Sequence, residues 1–244
     1  MKYSRIILGV FLISVLFFAC KKKNKETEAE IPVTTTGTVS QPVIYKVKTE
    51  EIAIPGLTIT YEYKYDSQGR VVRINRSTGI YETFEWSPGK CIKTEFSTSY
   101  PDPREIVEFT LDSLGLCFSA ARDSVFTYYK YDADGYKTWE IISGPNFESS
   151  YEILNGNVIT TNSDVGNSTT EYFLDKNNTI GNLNKGMSFL GKQNKNLRKT
   201  ITHIVSGPDW LTNFVYEFDS KNRVVKVIER VPQDSTIYKY TYYE

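Results

Sequence analysis

Aspartate is the residue type whose repetition first suggests chemistry in this chain. Five aspartates share one context, with an aromatic residue three positions before each and Gly or Asn three positions after it. The five pairs are Asp66 and Gly69, Asp112 and Gly115, Asp132 and Gly135, Asp175 and Asn178, and Asp219 and Asn222. A catalytic acid is not needed five times, whereas Asp opens turns by binding the backbone ahead of it, and Gly or Asn supplies the positive φ. The spacing therefore predicts structural turns and no catalytic residue.

The other reactive residues are too few for the common catalytic and metal sites. Of the 244 residues, one is His (His203) and three are Cys. A Ser-His-Asp site would need His203 and a Gly-x-Ser-x-Gly elbow, which the sequence lacks. Two Cys beyond residue 20 and one His cannot supply a structural zinc site, so we expect no metal and no cofactor. Cys91 and Cys117 are expected to be free thiols, because one strand would separate them.

The overall charge excludes one class of partner. The chain has 29 Lys and Arg residues against 29 Asp and Glu residues, so its formal net charge is zero. Electrostatic binding of nucleic acid needs a concentrated basic surface, and we expect no nucleic-acid partner. Aromatic residues make up 14% of the chain, which is enough apolar area for a folded core.

The segment before each Asp predicts a β-strand. Before Asp66, apolar and aromatic side chains alternate with polar ones, and this period of two is typical of a half-buried strand. The apolar face comprises Leu57, Ile59, Tyr61, Tyr63 and Tyr65. A second strand follows each turn, so each unit is a β-hairpin. The opposite face carries Thr, Glu and Lys, which favours a filled interior and a hydrated exterior over a barrel embedded in lipid.

The repeat predicts an all-β domain over residues 43–244. About eight hairpin units recur, which makes the chain a repeat array. We expect a large antiparallel meander without convincing helices. Open twisted sheets rarely exceed about ten strands without curling or splitting, so this sheet must curl, close into a barrel, or fold into two layers.

The first 42 residues predict export and membrane attachment. The charged start and the apolar run from Ile6 to Phe18 resemble a bacterial lipoprotein signal, which predicts a signal peptide at 1–19 and a lipidated Cys20. An uncleaved N-terminal anchor is the alternative, although the apolar run is short for a membrane span. Residues 20–42 then form a flexible tether. We expect an outer-membrane lipoprotein, on either the periplasmic or the surface side, whose contact with the membrane is the lipid anchor at Cys20.

Two resemblances extend this interpretation over residues 43–244. The segment from Tyr63 to Arg70 resembles the Tyr-x-Tyr-Asp-x-x-Gly-Arg motif of YD repeats in bacterial Rhs-type shell proteins, and the copies ending at Gly135 and Asn222 resemble it in part. The whole chain is similar to uncharacterised Bacteroidota lipoproteins with a curled, porin-like β-domain. Those proteins share the hairpins and a stretch like 175–198. The resemblance implies the fold and the compartment, and no catalytic residues.

Two further sets of residues are candidates for surface roles. Tyr100, Phe147 and Trp210 fall in less regular segments, at 97–104, 143–150 and 206–212, that read as loops, where binding residues concentrate. Three Asp-Ser-x triplets resemble the O-glycosylation signal of the same phylum, at Ser113, Ser124 and Ser235.

The sequence favours a non-catalytic binding or scaffold protein of the cell envelope, whose partner is a glycan or an envelope protein. A carbohydrate-binding accessory lipoprotein at the cell surface is one alternative. An envelope hydrolase is another, and it would need paired carboxylates in one pocket. A shell piece resembling the Rhs proteins is a third, although a lone short array with its own anchor argues against a toxin cocoon.

Overall fold

The computed structural model describes residues 44–205 and 207–244, apart from the side chain of Pro101. The predicted signal peptide, Cys20 and tether therefore lie outside the described residues. The described chain is an antiparallel β-meander that closes into a single barrel, because β1 pairs with β16 as well as with β2. Closure into a barrel leaves no unpaired sheet edge. None of the helices described is both long and apolar enough to cross a membrane.

Sixteen strands make up the barrel, so the hairpin prediction is confirmed and the sheet closes rather than splits. They are β1 Val47–Ile54, β2 Leu57–Tyr65, β3 Val71–Arg76, β4 Ile80–Ser87, β5 Lys90–Ser97, β6 Tyr100–Leu111, β7 Cys117–Arg122, β8 Val125–Tyr131, β9 Lys137–Ile142, β10 Phe147–Leu154, β11 Asn157–Ser163, β12 Gly166–Asn177, β13 Asn196–Ile204, β14 Trp210–Phe218, β15 Val224–Val231 and β16 Asp234–Tyr242.

The two ends of the barrel are built differently. The turns formed by Asp66, Asp112, Asp132 and Asp219 follow even-numbered strands and lie at one end, which we call the plug end. The turns at the opposite end, which we call the rim end, contain two to five residues. A barrel of sixteen strands is roughly 30 Å across, from a strand spacing of about 4.8 Å and a tilt of about 40°. Such short turns cannot cover that opening.

A segment between β12 and β13, residues 178–195, closes the plug end, and we call it the plug. Its one regular element is a 3-10 helix, Ser188–Leu190. Backbone bonds join it to strands around the barrel: Val47 N–H donates to Asn184 O at 3.0 Å, and Val71 N–H donates to Gly186 O at 3.1 Å. On the other side, Lys192 N–H donates to Gly135 O at 2.8 Å. These bonds satisfy polar groups that a buried segment could not leave unpaired.

Aromatic and aliphatic side chains on the inner face form the core around the plug. One buried cluster includes Val47, Tyr63, Val71 and Tyr240, from strands on both sides of the closing seam. A second cluster forms around Phe189 of the plug. The Phe189 ring packs edge-on against the rings of Trp86 and Phe109, at centroid distances of 5.2 and 5.1 Å. The plug therefore completes the core at this end.

The outer face of the wall carries ion pairs between neighbouring strands. Lys239 and Glu51 face each other across β16 and β1 and approach to 2.7 Å. Lys226 and Glu217 do the same across β15 and β14, at 2.7 Å. Further pairs on the outer face are Lys90 with Glu108 and Lys199 with Glu171. The period-two pattern places Tyr61, Tyr63 and Tyr65 on the inner face of β2, as predicted, but it does not sort the whole wall, because Phe126 and Tyr128 are exposed and Glu50 and Glu82 are buried.

One predicted turn is wrong. Asp175 lies within β12 and is exposed, and Asn177 still pairs with Asn196 of β13. The chain runs on into the plug instead of reversing, so Asp175 and Asn178 do not form a hairpin turn. Asn178 instead starts the plug, where its Oδ1 accepts a hydrogen bond from Ile180 N–H at 3.0 Å. Asp175 and Asn178 have the same local motif as the other four pairs, but here β12 continues to Asn177 and the plug begins at residue 178.

Candidate functional site

The candidate site is the floor of the barrel lumen, where the inner wall meets the plug. Two recesses open there, and both are lined by Gln193, Asn194 and Arg198. We call the first the Glu50 recess, with a volume of about 260 Å³, and the second the Tyr151 recess, with a volume of about 380 Å³. Tyrosines, amides and a few charged groups line both, which is the polar and aromatic mixture that orients small ligands.

A buried ion pair anchors the plug beside the Glu50 recess. Lys185 of the plug donates to both carboxylate oxygens of Glu50, each at 2.8 Å. The Tyr63 hydroxyl also donates to Glu50, at 2.7 Å. Burial, together with the Glu50 charge, raises the pKa of Tyr63 far above its ordinary value. Tyr63 therefore stays protonated and serves as a hydrogen-bond donor, and Glu50 has its lone pairs committed to the structure.

The Tyr151 recess has its own polar cluster on β8, β9 and β10. The Tyr151 hydroxyl donates to Glu140 at 2.5 Å, and Lys137 pairs with the same carboxylate at 2.6 Å. Lys137 also lies over the Tyr129 and Tyr151 rings. Burial raises the pKa of Tyr129 to about 12. The cluster presents tyrosine faces and hydroxyls toward the lumen in fixed positions.

Arg198 stands between the two recesses. It lies at a bulge in β13, opposite Tyr172 of β12, and its side chain is exposed within the lumen. It forms no ion pair within 4.0 Å among residues 44–205 and 207–244. Glu229 lines the Glu50 recess with Arg198, but its carboxylate accepts from the Tyr238 hydroxyl at 3.0 Å. Arg198 therefore lacks a carboxylate partner in the described part of the chain, and the Tyr172 side chain lies beside it.

A separate charged network lies on strands β3 to β7. Arg76 pairs with Glu82 and, at 3.1 Å, with Glu95. Lys93 joins the network by pairing with Glu105 at 3.1 Å. Arg104 pairs with Glu95 at 3.5 Å, and Arg122 pairs with Glu105 at 3.1 Å. Each carboxylate has at least one cation beside it, so the network is suited to holding the wall together rather than to acid–base catalysis.

Four of the five repeated aspartates form the same turn. The Oδ1 of Asp66 accepts from the N–H groups of Gln68 and Arg70, each at 2.9 Å, and Asp112, Asp132 and Asp219 bind their turns alike. Gly69, Gly115, Gly135 and Asn222 have positive φ. Burial raises the pKa of Asp66, but hydrogen bonds from Arg70 lower it more, so it lies below its ordinary value.

Tyr100, Phe147 and Trp210 do not lie in loops. They are the first residues of β6, β10 and β14, because the ladders extend almost to the turns. All three lie at the rim end, but three strands lie between Tyr100 and Phe147, and three more lie between Phe147 and Trp210. Tyr100 and Trp210 thus lie on opposite sides of an opening roughly 30 Å across. The three cannot grip one small ligand together.

The remaining predicted residues lie apart from the lumen floor. His203 stacks on Trp210 with a centroid distance of 3.6 Å, and its Nε2 lies 3.2 Å from Thr212 Oγ1. Cys91 and Cys117 are free and buried on β5 and β7, and burial raises the pKa of each thiol to about 12. Within the described ranges, no group of three His, Cys, Asp or Glu residues could hold a metal.

The three candidate glycosylation serines have different positions. Ser113 is exposed in a turn at the plug end, and Ser124 is exposed in a turn at the rim end. Ser235 is half-buried in β16. The two exposed residues could accept a sugar without disturbing the barrel, whereas Ser235 lies in a ladder with β15.

The lumen floor itself was not found by sequence reasoning. Gln193, Asn194 and Arg198 fall in a stretch without strand or helix periodicity. The available signal was its charge, since no Asp or Glu occurs between Lys176 and Pro208. A basic segment interrupting a regular hairpin array could have been singled out as functional.

Comparisons with known proteins support the fold and leave the function open. No protein-family model matches the chain, and no match is found among curated proteins. Two solved structures are similar. A porin-like protein from Bacteroides uniformis ATCC 8492 matches with a TM-score of 0.63 and 14% identity, covering 81% of this chain and 98% of that one. A porin-like protein from Bacteroides vulgatus ATCC 8482 matches with a TM-score of 0.52 and 10% identity, covering 82% and 99%. The chain thus shares its all-β barrel architecture with these porin-like proteins.

Proposed function

We propose that this protein is a non-catalytic binding lipoprotein of the bacterial outer membrane that holds a glycan at the lumen floor. The observation that carries the proposal is the pair of recesses sharing Gln193, Asn194 and Arg198. Tyrosine rings offer faces for sugar rings, and amides can bind hydroxyl groups. Envelope proteins remain the alternative class of partner.

The plug argues for binding in the lumen rather than for passage through it. Backbone bonds attach the plug to β1, β3 and the turn before β9, and the Lys185–Glu50 ion pair adds a buried anchor. A ligand entering from the rim end therefore meets a closed floor. An open diffusion channel would need this segment to leave, at the expense of those bonds.

The outer wall supports a barrel that stands in water. Ion pairs such as Lys239 with Glu51 occur on the outward face. A Lys or Arg facing lipid at the middle of a bilayer costs about 2–4 kcal/mol, and several such residues would make insertion strongly unfavourable. The proposed attachment is instead through acyl chains on Cys20, with residues 20–42 as the tether.

The turn chemistry supports a relation to the lipoproteins with YD-like hairpins. Asp66 and Asp219 each bind the backbone with one oxygen and the following arginine with the other, at 2.8 Å and 2.6 Å to Nε. This geometry explains why the motif carries Arg after Gly, because the guanidinium closes the turn. We propose that the chain belongs with those lipoproteins.

The binding proposal is tested by calorimetric titration of the full-length protein with neutral and acidic oligosaccharides. Gln193 is exposed and lines both recesses. We expect Gln193→Ala to weaken binding at least fivefold. Gln68→Ala, in an exposed turn outside the lumen, is the matched control and should leave it unchanged. Binding that is insensitive to Gln193, or no binding of any glycan, would contradict the proposal.

The location is tested separately in cells. Wild-type protein should incorporate an alkyne-labelled fatty acid, and Cys20→Ser should not. Protease shaving of intact cells, with a periplasmic control protein, then distinguishes the two faces of the outer membrane. An unlabelled wild-type protein would contradict lipid attachment.

A hydrolase is the second candidate, because Glu50 and Glu229 both line one recess. Paired carboxylates are the usual catalytic groups of glycoside hydrolysis. Against this role, Glu50 is bound by Lys185 and Tyr63. Release of reducing sugar by wild type but not by Glu229→Gln would favour the hydrolase. Glycans recovered intact would favour binding alone.

A further inference from the structure

The Tyr151 recess carries more positive charge than its own carboxylate can balance. Its charged lining residues are Lys137, Glu140, Lys192 and Arg198. Lys137 is committed to Glu140 at 2.6 Å. Neither Lys192 nor Arg198 forms an ion pair within 4.0 Å among the described residues. The recess therefore has two cations without a carboxylate partner.

The two cations differ in where they can act. Lys192 also borders a cleft on the outside of the plug that contains Asp132 and Asp134, and its Nζ lies over the Tyr136 ring at 5.5 Å. Arg198 borders both lumen recesses and lies in the strand wall, on β13, rather than in the plug. Arg198 is thus the better-placed group for a ligand that has entered the lumen.

The chemistry of Arg198 selects the ligand. A guanidinium is planar and binds the two oxygens of a carboxylate or a phosphate with paired hydrogen bonds. The tyrosine faces and amide groups beside it suit a sugar ring and its hydroxyls. We propose that the Tyr151 recess binds an acidic sugar, with its carboxylate or phosphate on Arg198. This rests on the proposed binding of a glycan at the lumen floor.

The surrounding residues keep this site rigid and charged. Arg198 lies opposite Tyr172, whose hydroxyl donates to Val158 O at 2.7 Å. The Tyr151 hydroxyl donates a hydrogen bond to Glu140, so that carboxylate already has a partner. An incoming oxyanion therefore meets the Arg198 guanidinium and one carboxylate that is already paired, while the tyrosine oxygens can accept hydrogen bonds from sugar hydroxyls.

The test compares trisaccharides that differ only at carbon 6 of the terminal sugar: hydroxyl, carboxylate or phosphate. Calorimetry with the full-length wild-type protein should give at least tenfold tighter binding of an acidic form than of the neutral form. The carboxylate and phosphate arms identify which oxyanion is preferred.

Three variants complete the test. Arg198→Gln should abolish the preference for the acidic sugar, and Arg198→Lys should keep part of it, because charge remains but the paired geometry is lost. Lys199→Gln is the matched control, since Lys199 is exposed and pairs with Glu171 on the outer wall at 3.3 Å. It should bind as wild type does.

The outcomes separate this inference from the proposed function. If neutral and acidic sugars bind with equal affinity, and Gln193→Ala removes that binding, the proposed preference for an acidic sugar is wrong and glycan binding at the lumen floor stands. A preference that survives Arg198→Gln would also overturn it. If no sugar binds, both proposals fail.

Discussion

The plug end and the rim end of the barrel come from the same hairpin repeat but differ in how they are fixed. At the plug end, side chains bind the turn backbone, as Asp112 does to Leu114 and Leu116. Residues 178–195 then tie the turns together. At the rim end, side chains such as Ser143 and Asp164 also bind backbone N–H groups, but turns of only two to five residues connect the strands, and aromatic side chains such as Tyr100 are exposed. The plug end therefore stabilises the barrel, and the rim end gives access to the lumen.

The largest effect is expected from breaking the buried anchor of the plug. Glu50→Ala leaves Lys185 without its carboxylate between the Tyr63 and Tyr240 rings. Removing one partner of a buried ion pair costs about 3–5 kcal/mol. Urea unfolding followed by tryptophan fluorescence measures this loss.

The matched control is Glu51→Ala, which breaks the outer-wall pair with Lys239. An exposed pair contributes about 0–1 kcal/mol. If Glu50→Ala and Glu51→Ala lower the free energy of unfolding equally, the plug anchor does not stabilise the protein more than an exposed ion pair does.

A smaller effect is expected at a glycine in the plug. Gly186 has a φ of +70°, and a Cβ there would lie 2.6 Å from Val71 N. Gly186→Ala must therefore strain the backbone and also push the plug away from β3. Gly56, at the rim end, has a φ of +78° with nothing within 4 Å of such a Cβ.

We expect Gly56→Ala to cost about 1 kcal/mol for its backbone conformation, and Gly186→Ala to cost about 2–3 kcal/mol. Thermal unfolding of both variants isolates the difference that is due to the plug. Identical melting temperatures would contradict tight packing between the plug and β3.

The turns provide the next comparison. Asp219 binds two backbone N–H groups and Arg223, whereas Asp175 is exposed in β12. Asp219→Ala should cost about 1–2 kcal/mol of unfolding free energy, the value of a few hydrogen bonds. Asp175→Ala should change it by less than about 0.5 kcal/mol. If Asp175→Ala lowers the free energy of unfolding more than this, the hydrogen bonds of the turn are not what makes Asp219 stabilising.

The same turn predicts a pH dependence. Burial raises the pKa of Asp219, but hydrogen bonds from Arg223 and Lys221 lower it more, so the folded pKa lies below the ordinary value of 3.8. The stabilisation is therefore complete above about pH 4 and is lost as the pH falls through the folded value. Wild type should lose more stability than Asp219→Asn between about pH 4 and pH 2. Parallel acid curves would contradict this.

The smallest effect is expected at the rim end. Trp210 covers His203, and burial lowers the pKa of His203 below its ordinary value. Trp210→Ala should raise that pKa toward 6.5, because the imidazolium regains water. An NMR titration of the single His measures the shift, and stability should change little. An unchanged pKa would show that other groups desolvate His203.

Much of the fold could be predicted because it depends on neighbouring residues. The alternation from Leu57 to Tyr65 places aromatic residues on one face, since side chains alternate along a strand. Asp66 and Gly69 specify a turn within five residues. Asp175 and Asn178 show the limit of this reasoning, because the same local pattern continues as a strand where a plug must follow.

The strands, most of their turns and the aromatic inner face of strands such as β2 follow from the sequence alone, because those features depend on contacts a few residues apart. Only the tertiary structure decided closure, since β1 pairs with β16 across almost the whole domain. It also decided that Lys185 meets Glu50 and that Arg198 faces the lumen. Those placements depend on the position of the plug and on a bulge in β13, and no local pattern encodes which distant strand a side chain will meet.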